Sequence, residues 1–179
     1  MPTSRSPSSH IHVCSLEMLC DVVMTSKASH VLTVINPWSL PDTPPGIATE
    51  NHLKIAVNDI EEEHEGLIAP NNGHIDEILE FVERWDRDNP LVIHCLAGIS
   101  RSTAAAFICL CAINPEINET VLARYLRRQS RTASPNRRMI ALADARMERN
   151  GRMIAAIDEI GEADFFLESQ PFSIPSRID

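Results

Sequence analysis

The feature that most constrains the fold of this chain is an apolar segment that leads through a short turn into a long apolar helix. Residues 91–94 are three apolar residues followed by a histidine, a pattern typical of a buried strand. Small residues follow, and from Arg101 to residue 113 the sequence predicts a helix that is apolar on most of its surface. A buried strand joined to a helix in this way indicates a sheet covered by helices.

Strands and helices alternate along the first half of the chain, whereas the second half is helical. The periodicity predicts strands at residues 11–15, 30–36, 52–57 and 91–94, and helices at 16–24, after 73, at 101–113, 117–129, 135–149 and 151–160. We therefore predict an α/β fold with a central, mostly parallel sheet of about four or five strands flanked by helices, and a helical C-terminal half.

Length and composition predict one domain. The chain has 179 residues, of which 44% are hydrophobic and 23% are charged, and this is ordinary for a globular protein. Serine and proline dominate residues 1–9, which predicts a flexible N-terminus. Residues 169–179 contain two prolines and predict a C-terminal tail that is packed on the surface or loose. We expect a single domain over residues 10–168.

Charge and hydropathy exclude several classes of protein. The chain carries 16 Lys and Arg against 25 Asp and Glu, and its formal charge of −9 argues against general binding of nucleic acid. The longest strongly apolar run, residues 104–113, is shorter than the ~20 residues of a membrane span. The first residues lack the apolar core of a signal peptide. Five cysteines without paired spacing indicate reduced thiols, so we expect a cytoplasmic protein.

The turn between the predicted strand and helix carries the strongest chemical signal. The first N–H groups of a helix have no partner within it, so a loop that enters a helix can bind a tetrahedral oxyanion. Gly98 permits the backbone conformation that such a cradle requires. Cys95, at the base of the cradle, is predicted to be a stabilised thiolate and a nucleophile. Arg101 can hold two phosphate oxygens with its planar guanidinium group.

The sequence from His94 to Ser102, HCLAGISRS, resembles the signature of the cysteine-based protein tyrosine phosphatases, especially their compact dual-specificity branch. The resemblance implies a two-step reaction through a phosphocysteine, with Cys95 as nucleophile and Arg101 as phosphate ligand. It also implies that Ser102 helps the thiolate to leave and that His94 supports the loop. The residues implied in phosphate binding are Leu96, Ala97, Gly98, Ile99, Ser100 and Arg101.

Two aspartates are candidates for the general acid that protonates the leaving oxygen. Asp59 directly follows the predicted strand 52–57, whose end would lie at the same edge of a parallel sheet as Cys95. It also resembles the acid position of the dual-specificity branch. Asp42 superficially resembles the acid of a Trp-Pro-Asp loop but precedes that strand. We expect Asp59 to be the acid, with Asp42, Glu61 and Glu62 as alternative acids. The alternative role of Asp59 itself is to cap a helix or a turn.

Three further predictions concern residues outside the signature. Asn136 lies in a Ser-Pro-Asn segment that resembles one found in dual-specificity phosphatases, where the Asn helps to fix the phosphate loop; a helix cap is the alternative. The histidines at positions 10, 12 and 64 lack the spacing of a metal site, so we predict no metal and no other cofactor. Cys14 and Cys20 are candidates to trap an oxidised Cys95 as a disulfide.

These observations predict a phosphomonoester hydrolase, a protein tyrosine or dual-specificity phosphatase. Its expected partners are phosphorylated proteins or peptides, with inorganic phosphate or sulfate able to occupy the loop, and neither nucleic acid nor membrane. The alternatives are a phosphoinositide or other small-molecule phosphatase of the same fold, and a catalytically silent phosphate-binding module. Leu96 and Ile99 stand where enzymes for polyanions often carry lysines, which favours phosphopeptides.

Overall fold

A computed structural model describes residues 9–178, which contain five strands and six α-helices. The strands are β1 (His10–Ser15), β2 (His30–Ile35), β3 (His52–Ala56), β4 (Leu91–Cys95) and β5 (Phe172–Pro175). The helices are α1 (Leu19–Ser26), α2 (Asn72–Arg84), α3 (Arg101–Ile113), α4 (Glu119–Gln129), α5 (Arg137–Arg146) and α6 (Arg152–Glu159). The predicted flexible N-terminus lies, apart from Ser9, outside the described residues.

The strands form one sheet in the order β3-β2-β4-β1-β5. The first four are parallel, so their carboxyl ends meet at one edge, and β5 runs antiparallel to β1. The predicted α/β fold with a mostly parallel sheet is therefore confirmed. The end of β4 lies between the ends of β1 and β2, which places the turn that follows Cys95 at the centre of that edge.

Helices cover both faces of the sheet. On one face, buried side chains of β1, β2 and β4, namely Cys14, Val31 and Val92, pack against α1. On the other face α3 lies against β1, β2 and β4 and contacts α2, α4 and α5 in turn. Every residue of α3 except Ala112 is buried, because strands lie beneath this helix and helices surround it. The start of α3 is thus fixed from several directions.

The C-terminal segment differs from the prediction. Residues 169–179 were expected to form a tail, but the structure places β5 within them, paired to β1 from Val13↔Phe172 to His10↔Pro175. Ile174 is completely buried in the main core. Pro171 precedes β5 and Pro175 is its last residue, and β5 is an edge strand, in which proline is tolerated because one side of the strand makes no ladder hydrogen bonds. The strand's partner lies at the other end of the chain, so local pattern could not reveal it.

Helix ends in the C-terminal half also differ from the prediction. The helix predicted over residues 135–149 ends at Arg146, and Glu148, Asn150 and Gly151 then take positive φ angles. Asp144, which is buried, accepts hydrogen bonds from the N–H groups of Gly151 (2.7 Å) and Met153 (2.8 Å). The carboxylate thereby caps the first turn of α6 and fixes the break between the two helices.

Replacing Ile174 tests the position of β5. We expect Ile174→Ala to lower the free energy of unfolding by about 2–5 kcal/mol, because it leaves a cavity in the core. The exposed Glu168→Ala, which precedes the strand, is the control and should change stability by no more than about 0.5 kcal/mol. Chemical denaturation measures both, and equal effects of the two substitutions would contradict the burial of this segment.

Candidate active site

The turn between β4 and α3, residues 96–100, is held against the end of β1. Gly98 has a φ of +72°, and a Cβ atom there would lie 2.8 Å from the carbonyl carbon of Cys14 and 2.9 Å from the nitrogen of Ser15. The N–H of Leu16 donates to the carbonyl of Leu96 at 3.2 Å. Glycine is required at position 98 by both its conformation and the main-chain contact.

The N–H groups of this turn are free to bind a ligand. Within residues 9–178, none of the N–H groups of residues 96, 97, 99 and 100 donates to a main-chain carbonyl. The turn leads directly into the N-terminus of the thirteen-residue α3, whose dipole adds positive potential. Such an arrangement favours an anion.

Cys95 lies at the base of a cavity of about 560 Å³ that this turn lines. Its Sγ lies 3.0 Å from the Oγ of Ser102 and accepts a hydrogen bond from the N–H of Gly98 at 3.2 Å. Only 2% of the residue is exposed, and that part belongs to the cavity lining. The sulfur therefore has one main-chain donor and one hydroxyl within hydrogen-bond distance, in a residue that lines the cavity.

Arg101 is buried beside the cavity with part of its guanidinium group unpaired. Its Nη1 donates to the Oδ1 of Asn36 and to the carbonyl of Val57, both at 2.7 Å. Its Nε is buried and has no hydrogen-bond partner among the described residues. Buried donors are nearly always paired, so an unpaired Nε next to the turn indicates a site for an anionic oxygen.

Asp59 stands at the cavity rim, just after β3. Its Oδ1 accepts hydrogen bonds from the Oγ of Ser100 (2.8 Å) and from the Nδ2 of Asn136 (2.9 Å). The alternatives that the sequence left open lie elsewhere. Asp42 does not line the cavity, and Glu61 accepts a hydrogen bond from the N–H of Arg137 at 3.2 Å. The exposed Glu62 is likewise outside the lining.

Asn136 makes contacts relevant to both alternatives that the sequence left open. Its side chain accepts a hydrogen bond from the N–H of Met139 at 3.0 Å and so caps α5. Its own N–H donates to the carbonyl of Ser100 at 3.3 Å, and its Nδ2 reaches Asp59. One buried amide therefore joins a helix, the turn and the carboxylate.

The cavity rim contains residues that the sequence analysis missed. Trp38 lines it with 68% of its surface exposed, and Leu67 and Ile60 extend this apolar border next to Leu96, which the sequence had already named. Asn36, which binds Arg101, directly follows β2, as Asp59 closely follows β3. Position after a parallel strand was a signal that could have identified Asn36.

Comparison with known proteins agrees with this geometry. Residues 63–137 match the family model described as protein-tyrosine phosphatase. Among solved structures, DUSP15 is similar with a TM-score of 0.59 and 17% identity, over 93% of this chain and 97% of that chain. Human DUSP28 has a TM-score of 0.59 at 15% identity, over 78% of this chain and 92% of that one. PTPMT1 in complex with PI(5)P has a TM-score of 0.54 at 13% identity, over 83% and 88%.

The chain has the fold of the compact cysteine-based protein tyrosine phosphatases. The predicted resemblance to this superfamily is confirmed for the fold and for the segment that the family model matches. No curated protein sequence matches the chain. None of the helices within residues 9–178 combines the length and the hydropathy needed to span a bilayer.

His94 lies behind the turn of the phosphatase fold, completely buried. Its Nδ1 lies 3.3 Å from the carbonyl oxygen of Cys95, and its Nε2 lies 2.6 Å from the Oγ1 of Thr33. Burial lowers the pKa of His94 to about 4, although the bond to the Cys95 carbonyl opposes this shift. A buried imidazole in this position is therefore neutral near pH 7.

The structure does not bring either candidate disulfide partner into the cavity. Cys14 pairs in register with His94 and packs against α1, whereas the sulfur of Cys95 faces Ser102 of α3 on the opposite side of the sheet. Burial raises the pKa of the Cys14 thiol to about 12. Cys20 is exposed on α1. All five cysteines are free thiols.

The buried His52 predicts a specific dependence of stability on pH. Burial, together with the nearby Lys54 and His94, lowers the pKa of His52 to about 4. The unfolded chain restores a pKa of ~6.5 and takes up a proton below that pH, so the free energy of unfolding falls as the pH drops from ~6.5 towards ~4.

We expect the wild type to lose about 1–2 kcal/mol more stability than His52→Gln between pH 7 and pH 5, because glutamine does not titrate. Chemical denaturation at both pH values measures the difference. The exposed His64→Gln is the control and should follow the wild type. A His52→Gln protein with the wild-type slope would contradict the buried neutral state.

Proposed function

We propose that this protein is a phosphomonoester hydrolase that acts through a phosphocysteine on Cys95. The observation that carries the proposal is the combination of this sulfur at the cavity base with the unpaired Nε of Arg101 and the free N–H groups of the turn. A phosphoryl group held by the amides and the guanidinium would present its phosphorus to the sulfur for in-line attack. A pure phosphate-binding module would need no nucleophile at that point.

In the first step the Sγ of Cys95 attacks phosphorus, the P–S bond forms and the bond to the leaving oxygen breaks. Asp59 donates a proton to that oxygen. Its Oδ1 already accepts two hydrogen bonds, so Oδ2 is the oxygen available to carry the proton. Ser100 and Asn136 thereby orient the acid over the turn. Arg101 and the N–H groups bind the charge that develops on the phosphoryl oxygens.

In the second step water attacks phosphorus and the P–S bond breaks. Asp59, now a carboxylate, takes the proton from the attacking water, and inorganic phosphate leaves. The thiolate is the leaving group. Ser102 lies 3.0 Å from the sulfur and can donate a hydrogen bond to it as negative charge returns. His94 supports Cys95 through a hydrogen bond to the carbonyl oxygen of that residue.

The cavity favours a phosphorylated protein side chain over a polyanionic headgroup. Among residues 9–178, Arg101 is the single cationic residue that lines the cavity, and Trp38, Leu67 and Leu96 give the entrance an apolar border. Residues 61–65, which follow Ile60 of the rim, contain four glutamates. A headgroup with several phosphates would meet one cationic side chain, and the glutamates nearby would repel its negative charge. An aryl or alkyl phosphate on a peptide instead matches the apolar border. We therefore assign a tyrosine or dual-specificity phosphatase activity.

Substitution of the nucleophile tests the proposal. We expect Cys95→Ser to lower turnover of p-nitrophenyl phosphate and of a phosphotyrosine peptide by about 10⁴-fold or more, because a hydroxyl replaces the nucleophilic sulfur. Binding of vanadate, a tetrahedral oxyanion, should persist and can be measured by calorimetry. Cys20→Ser, the same change on an exposed helix, is the matched control and should remain active.

A Cys95→Ser protein with wild-type turnover would refute the nucleophile. A wild-type protein that binds vanadate without hydrolysing any substrate would identify a silent binding module instead. A higher kcat/KM for a phosphoinositide than for phosphopeptides would overturn the substrate assignment and leave the mechanism intact.

The acid can be tested separately. We expect Asp59→Asn to lower kcat for an alkyl phosphate by about 10²–10⁴-fold and to remove the high-pH decline of activity, because the donated proton is lost. The asparagine retains an oxygen that can accept the bonds from Ser100 and Asn136. Asp42→Asn is the matched control and should keep the wild-type pH profile. Persistence of the high-pH decline in Asp59→Asn would assign the acid to another residue.

A further inference from the structure

Four polar side chains form a continuous path on the α1 face of the sheet, and we call this path the histidine chain. Its members are Thr43, His52, Thr33 and His94. The Oγ1 of Thr33 lies 2.6 Å from the Nε2 of His94 and 2.8 Å from the Nε2 of His52. The Nδ1 of His52 lies 2.9 Å from the Oγ1 of Thr43. The path ends at the Cys95 carbonyl, 3.3 Å from the Nδ1 of His94.

Strand register explains why these side chains meet. Thr33 of β2 stands directly opposite His94 of β4. His52 of β3 pairs with Val31, two residues before Thr33, so it reaches Thr33 diagonally on the same face. Thr33 and His94 are completely buried, and His52 is 8% exposed. Water therefore has little access to these three side chains, which must satisfy their hydrogen bonds within the histidine chain, whereas Thr43 at its outer end is partly exposed.

The hydrogen bond between His94 and the Cys95 carbonyl determines which ring nitrogen of His94 carries the proton. A carbonyl oxygen only accepts, so the Nδ1 of His94 must carry the hydrogen. Burial keeps this imidazole neutral near pH 7, since its pKa is lowered to about 4. A neutral ring with its proton on Nδ1 has a lone pair on Nε2. Thr33 must therefore donate its hydroxyl hydrogen to His94.

The directions of the remaining hydrogen bonds in the histidine chain follow because the Thr33 hydroxyl has only one hydrogen. Because Thr33 has donated to His94, its oxygen can only accept from the Nε2 of His52, which must carry a proton. Burial also lowers the pKa of His52 to about 4, so its Nδ1 bears a lone pair and accepts from Thr43. All four hydrogen bonds then run from the segment that precedes β3 towards the nucleophile. The two histidines hold opposite tautomers.

We propose that the histidine chain has this one direction and that Thr33 and His52 are positioning residues for Cys95. They act through His94, whose ring the chain holds in one tautomer against the Cys95 carbonyl. The proposal rests on the proposed function only in taking this cysteine as the nucleophile. In the reverse arrangement, with the proton of His94 on Nε2, the Cys95 carbonyl would lose its imidazole donor.

The segment between β2 and β3 is thus joined to the site at two points. Asn36, at its beginning, binds the guanidinium of Arg101. Thr43, further along, begins the chain that ends at the nucleophile. Cys95 and Arg101, the residues that flank the turn, are consequently both linked to this one segment.

The direction of the chain can be measured without any assay of activity. Protein labelled with ¹⁵N in the histidine rings should show His94 protonated on Nδ1 and His52 protonated on Nε2 at neutral pH. Assignment uses His94→Gln and His52→Gln, each of which removes one set of signals. A proton on Nε2 of His94, or the same tautomer in both rings, would overturn the proposal.

The positioning role is tested by Thr33→Val, which keeps the shape and removes the hydroxyl, with Thr33→Ser as the matched variant that restores it. The readout is the rate at which iodoacetamide alkylates Cys95, identified by peptide mass analysis. We expect about a tenfold slower alkylation in Thr33→Val, the rate equivalent of about 1.4 kcal/mol, and a rate near the wild type in Thr33→Ser.

The ¹⁵N spectrum of folded Thr33→Val should show a shifted signal for the Nε2 of His94, because that nitrogen loses its hydrogen-bond donor, while Thr33→Ser keeps the wild-type signal. Alkylation at the wild-type rate in both variants would refute the positioning role. If Thr33→Val does not fold, the positioning role is decided by the same two readouts on other variants. His52→Leu removes the donor to Thr33, whereas His52→Gln keeps a side-chain N–H and Thr33→Ser keeps the hydroxyl. Absence of phosphatase activity in the wild type would refute the proposed function and leave both readouts valid.

Discussion

The contact between Gly98 and the main chain at Cys14 and Ser15 is the constraint on which the site depends. A Cβ atom at position 98 would lie 2.8–3.0 Å from main-chain atoms of Cys14 and Ser15. The turn therefore packs against the end of β1 more closely than any residue other than glycine would allow. This contact, together with the hydrogen bond from the N–H of Leu16 to the carbonyl of Leu96, fixes where β4 ends and where α3 begins. The positions of the sulfur and the guanidinium follow, because one residue ends the strand and the other starts the helix.

A second group of contacts fixes Asp59, the proposed general acid. Asn136 joins the N-terminus of α5 to the turn and to Asp59, and Ser100 binds the same carboxylate oxygen. Asp59 belongs to a largely exposed loop, in which Glu61 and Glu63 accept hydrogen bonds from Arg137 and Arg138. A carboxylate on such a loop needs an external anchor, and the buried amide supplies it from a helix in the C-terminal half.

Local sequence signals predicted the fold class and the groups on the turn because each depends on neighbouring residues. Apolar runs located the first four strands, and the glycine and flanking residues marked the anion cradle. Asp59 followed from its place after a strand. Partners that lie far apart in the sequence were missed. Arg101 meets Asn36 across 65 positions, Thr33 meets His94 across 61, and β5 pairs with the opposite end of the chain.

These long separations have a consequence for how the protein acquires its site during folding. Asp59 and Asn136 are 77 positions apart, and β2 must pair with β4 across an intervening strand and helix. Contacts of this kind form late, since the chain must close large loops before it gains their energy. A nascent or partly collapsed molecule would contain the cysteine, the arginine and the acid without their geometry. If the proposed function holds, we therefore expect catalytic competence to emerge only when the whole domain has folded cooperatively.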